Sequence, residues 1–423
     1  MIAIRKLPAV LQHVIAAVAL TAFAALPALA QEAGPSPFDF YYNVYPEWKV
    51  QTFGTPSAAG TNVGNMGTLR NDRTVLVSNA NPKTDTEDHE WSNSYIGFRG
   101  TFAQGPLSFG YDVQGLTDFQ GSFQKNFRTR DAFVFVEHRN IGRFMLGQMD
   151  TVYKDWGDPV RMLRVSSSNI VSTSRIVSGV GWRAAGEASF NNRTNRMLTW
   201  VSPRWSGFNL GVSHAARPVE TATRLKSTLT AVGVQWREGP WYAALVTEHH
   251  RDWLPMSFGP DAPAPAATSI RNPAATATSR DQAWRLSGAW IKGPWRVGSD
   301  ISRMHYSESD TAAGGGAAGK FRSYRNVAAQ VSAEYKLTAR LRLAANHARA
   351  SAGHCSLSGG VACSTRGLGG NHTSLGAMYS VNDFLNAFVL ATHTRNNPGA
   401  QYGSSAQGAN TNAYAIGIQL SER

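Results

Sequence analysis

After residue 30 the chain has no run of about 18 apolar residues, so no segment there is long and apolar enough for a membrane-spanning helix. Helical periodicity is scarce throughout, and alternation with a period of two takes its place. Acid is also in short supply: 28 Asp and Glu stand against 41 Lys and Arg, a formal charge of +13. The basic residues are scattered singly rather than clustered on one helix or patch. That distribution excludes a nucleic-acid partner and fits a basic wall that attracts anions. Cysteine is nearly absent. Cys355 and Cys363, in a Gly/Ser-rich stretch, are too few to frame a fold, but in an oxidising compartment they pair to staple a loop. His354 and His372 flank them at a spacing that matches no zinc pattern, so no metal is expected. The chain also lacks a G-x-S-x-G turn, a phosphate-cradling glycine loop and a haem-attachment cysteine pair, so no cofactor is expected.

The N-terminus reads as a signal peptide over residues 1–30. Arg5 and Lys6 precede an apolar stretch from Val14 to Leu26, and Ala28-Leu29-Ala30 offers a cleavage site before Gln31. The remaining 393 residues carry a formal charge of about +11 and are expected to form one unit, residues 31–423. Overall the chain is 10% aromatic, holds 40 glycines and is only 16% charged. Export, alternation and aromatic content together imply an outer-membrane β-barrel.

The alternation can be followed residue by residue. Leu107, Phe109, Tyr111 and Val113 oppose Ser108, Gly110, Asp112 and Gln114. Val327, Ala329, Val331, Ala333 and Tyr335 oppose Ala328, Gln330, Ser332 and Glu334, and Leu341 and Leu343 oppose Arg342 and Ala344. Sixteen such segments are expected, the even number that bacterial single-chain barrels use. Seven short turns alternate with eight longer connections, among them 54–91, 151–195, 251–280 and 351–371. A β-sandwich has no reason to keep that rhythm, whereas a barrel with periplasmic turns and extracellular loops requires it. Residues 259–277 are rich in Pro and Ala, and 311–319 in Gly and Ala, as exposed loops are. Trp236-Arg237-Glu238-Gly239-Pro240-Trp241 nearly repeats as Trp290-Ile291-Lys292-Gly293-Pro294-Trp295, which places tryptophans at a periplasmic girdle.

Several stretches resemble the trimeric general porins of Gram-negative bacteria, especially those of β-proteobacteria. Tyr95-Ile96-Gly97-Phe98-Arg99-Gly100 is similar to their second strand and Thr129-Arg130-Asp131-Ala132-Phe133-Val134 to their fourth. Leu146-Gly147-Gln148, leading to Asp155, resembles the entry to their third loop, and Arg193 to Val212 their sixth and seventh strands. The resemblance implies a homotrimer in the outer membrane, in contact with lipid and lipopolysaccharide. It also implies a third loop, here 151–195, folded inward to narrow each pore against a wall of arginines. Arg130 and Arg193 fall on wall positions, with Lys49 and Arg99 as further candidates; on the loop side stand Asp155, Asp158, Arg161 and Arg164. Two departures bear on selectivity. Tyr95 occupies a family wall-arginine position, and the acidic Pro-Glu-Phe-Gly-Gly-Asp type segment is missing from the loop. Instead the loop carries Lys154, Arg161, Arg164, Arg175, Arg183 and Arg193 against Asp155, Asp158 and Glu187. Family members end in an aromatic residue, whereas this sequence ends Leu420-Ser421-Glu422-Arg423.

The expected function is a passive, water-filled channel for small hydrophilic solutes and ions, favouring anions and not an enzyme. Two alternatives come from other classes. His249, His250 and Asp252 at one strand end could activate water, as in an outer-membrane hydrolase. Small residues on the strands, Gly110, Gly211, Gly233 and Gly298, could instead make room for a docked partner protein.

Overall fold

The computed structural model describes residues 38–58, 84–91, 94–117, 127–165, 170–181, 190–216, 227–253, 279–308, 321–404 and 406–422. Residues 1–30, expected to be a signal peptide, residues 259–277 and 311–319, Arg183 and Glu187 lie outside them. No helix among the described residues is long and apolar enough to cross a membrane.

One antiparallel sheet of 19 strand segments closes on itself. It begins with β1 (Phe38–Val44), β2 (Glu47–Phe53), β3 (Thr86–Glu90), β4 (Tyr95–Gln104), β5 (Leu107–Thr117), β6 (Phe127–His138) and β7 (Gly142–Asp150). It continues through β8 (Arg193–Val201), β9 (Phe208–Ala216), β10 (Thr228–Glu238), β11 (Trp241–Arg251), β12 (Ser279–Lys292) and β13 (Trp295–Glu308). The last are β14 (Phe321–Lys336), β15 (Leu341–Ala350), β16 (His354–Leu357), β17 (Gly370–Ser380), β18 (Leu385–Asn396) and β19 (Thr411–Glu422). Three segments continue their predecessor: β2 extends β1, β4 extends β3, and β16 extends β15 along β14. The barrel therefore has sixteen staves. Its seam closes where β19 pairs with both β1 and β2, so no backbone edge is left open to lipid. The second stave starts earlier than the sequence suggests, at Thr86, because β3 pairs with β2 before the chain bends into β4.

Adjacent residues face opposite sides of the wall. Leu286 is 53% exposed and its neighbour Arg285 2%. With lipid outside, apolar exposure belongs on the outer face. Three of the seven tight turns are Gly-Pro pairs, Gly105-Pro106, Gly239-Pro240 and Gly293-Pro294, with glycine φ of +56°, +53° and +58°. A positive φ followed by proline's fixed φ suits a two-residue hairpin whose twist matches its strands. The expected girdle forms at this end of the barrel. Trp241 stands opposite Trp290 with ring centroids 6.4 Å apart, Trp295 opposite Tyr335 at 4.4 Å, and Trp236 opposite Phe208 at 6.4 Å.

Candidate functional site: the third connection and the basic cavity

The connection between β7 and β8 lies inside the barrel. It contains α1 (Val152–Asp155), a single tight turn at Met162–Arg164, and α2 (Ser174–Val177). Thr151 caps α1 by accepting a bond from the Lys154 amide at 3.3 Å. Glycines on the inner wall make a trough for this segment. A Cβ on Gly211 would lie 2.5 Å from the Trp156 ring, one on Gly233 3.0 Å from it, and one on Gly298 2.9 Å from Val160. Three of the small lumen residues that suggested a docked partner are thus filled by the chain's own loop. The fourth, Gly110, faces Phe135.

Inward polar residues on successive strands then hold the segment. The Tyr242 hydroxyl donates to the Trp156 carbonyl at 2.7 Å, and the Val152 amide donates to Ser213 Oγ at 3.1 Å. Thr151 and Asn192 both donate to Glu248, at 2.7 and 3.1 Å. The Asp158 amide donates to Asp300 at 3.1 Å, and Asn346 donates to the Val171 carbonyl at 2.8 Å. Leu163 N–H donates to Glu334, and Ser302 to the Val177 carbonyl. Asp300 is itself bound by the buried Arg285 at 2.9 Å. At its far side the segment meets the first stave, where Tyr45 donates to the Arg164 carbonyl at 3.2 Å. Asp158, Leu163 and Arg164 have positive φ, backbone that only such dense anchorage sustains in non-glycine residues.

Between this segment and the barrel wall lies a cavity of about 520 Å³. Arg130, Arg161, Arg164, Arg204, Arg237 and Arg296 line it, against two carboxylates, Asp155 and Asp158. Arg130 receives its position from two partners: its guanidinium donates to Gln114 at 3.0 Å and sits 4.0 Å from the centre of the Tyr95 ring. Tyr95, where the family carries an arginine, thus serves as the platform for another one. Burial, reinforced by the facing Asp300 carboxylate, holds the Asp158 carboxyl above the usual carboxylate range although Arg285 and Arg161 are near.

The other residues singled out in the sequence lie elsewhere. Arg193 is the first residue of β8, not part of the loop, and bridges Asp131 at 2.7 Å and Asp150 at 3.0 Å; Lys154 joins Asp150 at 3.0 Å. These two cations are neutralised at the root of the connection. Lys49 pairs with Glu90 at a second, smaller cavity beside α2 that also includes Arg175 and His372. Arg99 pairs with Asp39 on the first stave. Cys355 and Cys363 form a disulfide with Cα atoms 5.7 Å apart, in the connection between β15 and β17. His372 is buried, bonded to Thr394 and Ser374 at 2.8 Å, while His354 is exposed. His249 and His250 point to opposite faces, as strand neighbours must, and Asp252 accepts from the Ser279 amide at 2.8 Å. The partner of the inward His250 is Glu248, whose carboxylate is 2.8 Å from its Nε2.

Sequence reading missed Arg204, Arg237 and Arg296, which supply half of the arginines in the cavity. It also missed Glu248, Arg285 and Asp300, and the anchoring role of Glu334, which alternation had already placed on the inner face. Their signal was present: each of these four sits at the lumen-facing parity of an otherwise apolar-out strand.

The fold recurs in solved porins. An anion-selective porin from Comamonas acidovorans superposes with a TM-score of 0.61 at 12% identity, over 92% of this chain and 100% of that one. OmpT of Vibrio cholerae, in a structure described as a trimer form, gives 0.58 at 13% identity over 92% and 100%. OmpF of Salmonella typhi, in complex with daunomycin, gives 0.53 at 12% over 91% and 98%. No curated protein matches the sequence. At these identities the superpositions speak for the fold alone, but the sequence pattern of the Gram-negative porins matches residues 16–354. By that match, which takes in most of its length, the chain belongs to the Gram-negative porin family and is a channel of the outer membrane.

Proposed function

We propose that this channel is a diffusion pore favouring small anions, that it conducts rather than catalyses, and that it works as a homotrimer after export by a cleaved signal peptide over residues 1–30. One observation carries the anion preference: the cavity beside the third connection is lined by six arginines and two aspartates. Arg296 is partly offset, since its guanidinium is 3.4 Å from Glu334. The remaining five still outnumber the carboxylates, in a passage narrow enough for their field to act on every ion. Arg130, Arg161 and Arg164, with Asp155 and Asp158, form the constriction in this reading, and the connection between β7 and β8 is its loop, ending before Arg193 rather than at 195. Arg204, Arg237 and Arg296 extend the same positive field towards the periplasmic mouth. Arg193 and Lys154 act as the root that fixes the loop. The outward cluster of Phe38, Phe40 and Phe98, with the Phe98 ring centroid 5.3 Å from each of the other two, supports a subunit contact on the first staves. The deciding experiment is conductance in a planar bilayer across a potassium chloride gradient. Stepwise conductance with a reversal potential favouring chloride is expected; a clear preference for potassium refutes the reading.

A further inference from the structure

The smaller cavity is a chamber of about 230 Å³ between α2 and the staves on either side of the seam. His372 on β17, Thr392 and Thr394 on β18, and Thr411 on β19 lie near the loop ends of their strands, so the chamber opens towards the extracellular mouth. Ile170 and Ile176 of the third connection and Ala413 of the wall give it an apolar side, and Arg175 stands beside them. Burial pulls the Arg175 guanidinium below its usual range, because part of the water that would stabilise its charge is gone. The Lys49 ammonium is already paired with Glu90. Lys49 and Arg175 against Glu90 leave the chamber one net positive charge, and it resides on Arg175.

Hydroxyls cover the polar side. The His372 ring is fixed through both nitrogens, Nδ1 with Thr394 Oγ1 and Nε2 with Ser374 Oγ, each at 2.8 Å. Whichever way that chain of bonds runs, the Thr394 hydroxyl keeps hydrogen-bonding capacity on its other side. Gly403, at a φ of +73°, leaves that side open: a Cβ there would stand 3.0 Å from Thr394 Oγ1. Thr411 is only 3% exposed, yet its Oγ1 has no hydrogen-bond partner among the described residues. A buried hydroxyl left unpaired is costly, so this one points to a polar group brought by an occupant.

We infer that this chamber is a binding site for a small hydroxylated monocarboxylate, of the sugar-acid class, on its way into the pore. The planar Arg175 fork takes the carboxylate, Thr394 and Thr411 take hydroxyls, and Ile170 and Ile176 lie against the carbon chain. One net charge matches a monoanion. Glu90 is held by Lys49 and so offers a poor seat for the ammonium of an amino acid. The volume equals that of about eight waters, which suits a solute of about four to six carbons. A weak site above the constriction concentrates one class of solute at the mouth and still releases it, as conduction requires. The inference rests on the chain being an outer-membrane channel and not on the anion preference of the arginine-lined cavity.

The test uses the folded mature chain in planar bilayers. Potassium chloride current and reversal potential are recorded first, so failure of the pore reading shows separately. Gluconate is then titrated from each side in turn and is expected to reduce the current saturably. Sorbitol, butyrate and inorganic phosphate are the comparisons. Sorbitol lacks the carboxylate and butyrate the hydroxyls, and each is expected to act roughly tenfold or more weakly, because a site built around polar groups rejects an analogue that leaves them unpaired. Arg175→Gln is expected to weaken gluconate roughly tenfold or more. Thr411→Val keeps the shape of the side chain and is expected to weaken gluconate several-fold while leaving the effect of butyrate where it was, a difference that a merely structural hydroxyl would not produce. That variant carries the comparison if Arg175→Gln does not fold. The inference is overturned by the absence of a saturable gluconate effect, by butyrate or sorbitol acting as strongly as gluconate, or by unchanged gluconate affinity in either folded variant. Phosphate acting as strongly as gluconate also overturns it, by making the chamber a general anion site.

Discussion

Neutralising three arginines of the pore cavity that form no ion pair among the described residues, by Arg161→Gln, Arg204→Gln and Arg237→Gln, should remove most of the anion preference, and the size of the effect can be worked out. A cavity of about 520 Å³ has an equivalent radius of roughly 5 Å, so a lining guanidinium lies roughly 8 Å from an ion at its centre. At that distance a unit charge in water contributes about 0.5 kcal/mol, and a Debye length of about 10 Å at about 0.1 M salt reduces this to about 0.2 kcal/mol. Anions lose that amount and cations gain it, so each substitution lowers the anion-to-cation ratio about twofold and three lower it about tenfold. At about 1 M salt the Debye length is about 3 Å and the change shrinks to about 1.1-fold per residue. Reversal potentials of wild type and triple variant, measured in gradients centred on low and on high salt, provide the assay. A reversal potential that does not move at low salt, or that moves equally at both salt levels, refutes the argument that these side chains set selectivity through their field.

Three further outcomes follow from the anchorage of the third connection. Gly211→Val places a side chain against the Trp156 ring, which already lies 2.5 Å from a Cβ at that position, so the connection must shift. Single-channel recordings should then show altered conductance and more flicker from a barrel that still folds; traces identical to wild type would contradict the packing described. Asp300→Ala leaves Arg285 buried without its carboxylate and should destabilise the barrel by about 3–5 kcal/mol, read as a lower temperature for loss of the folded band on a gel. Acidification should raise anion selectivity before ordinary aspartates titrate. Asp158, held high by burial and by Asp300, takes up its proton early, and losing a negative charge makes the cavity more positive. Burial also holds Asp155, in the same cavity, above the usual carboxylate range, so the early step should shrink in Asp158→Asn and be missing from the double variant Asp155→Asn, Asp158→Asn.

Much of the architecture was legible because a barrel strand carries its own instructions. Alternation assigns each residue a face, Gly-Pro pairs set three of the tight turns, and the tryptophans flanking two of them mark one membrane boundary. Ends of staves were less legible: β3 pairs with β2 through Thr86 to Glu90, a polar run with no apolar alternation to announce it. For the site, sequence motifs placed Arg130 in the cavity but also nominated Arg193, Lys49 and Arg99, each of which has a carboxylate partner. A partner on another strand is set by register and by the path of the loop, and neither is written locally.

The sequence by itself determined that this chain forms a closed barrel with two unlike ends, because period-two alternation and the short–long rhythm of connections are local properties of the chain. It also determined the excess of basic charge. Only the tertiary structure decided where that charge acts. Folding the third connection against a trough of glycines brings Arg161 and Arg164 within one cavity with Arg130, Arg204, Arg237 and Arg296, while ion pairs silence Arg193 and Lys49. The physical reason is that a charge acts through its distance to other charges and through the solvent between them. In a barrel those distances run across the lumen, between residues far apart along the chain.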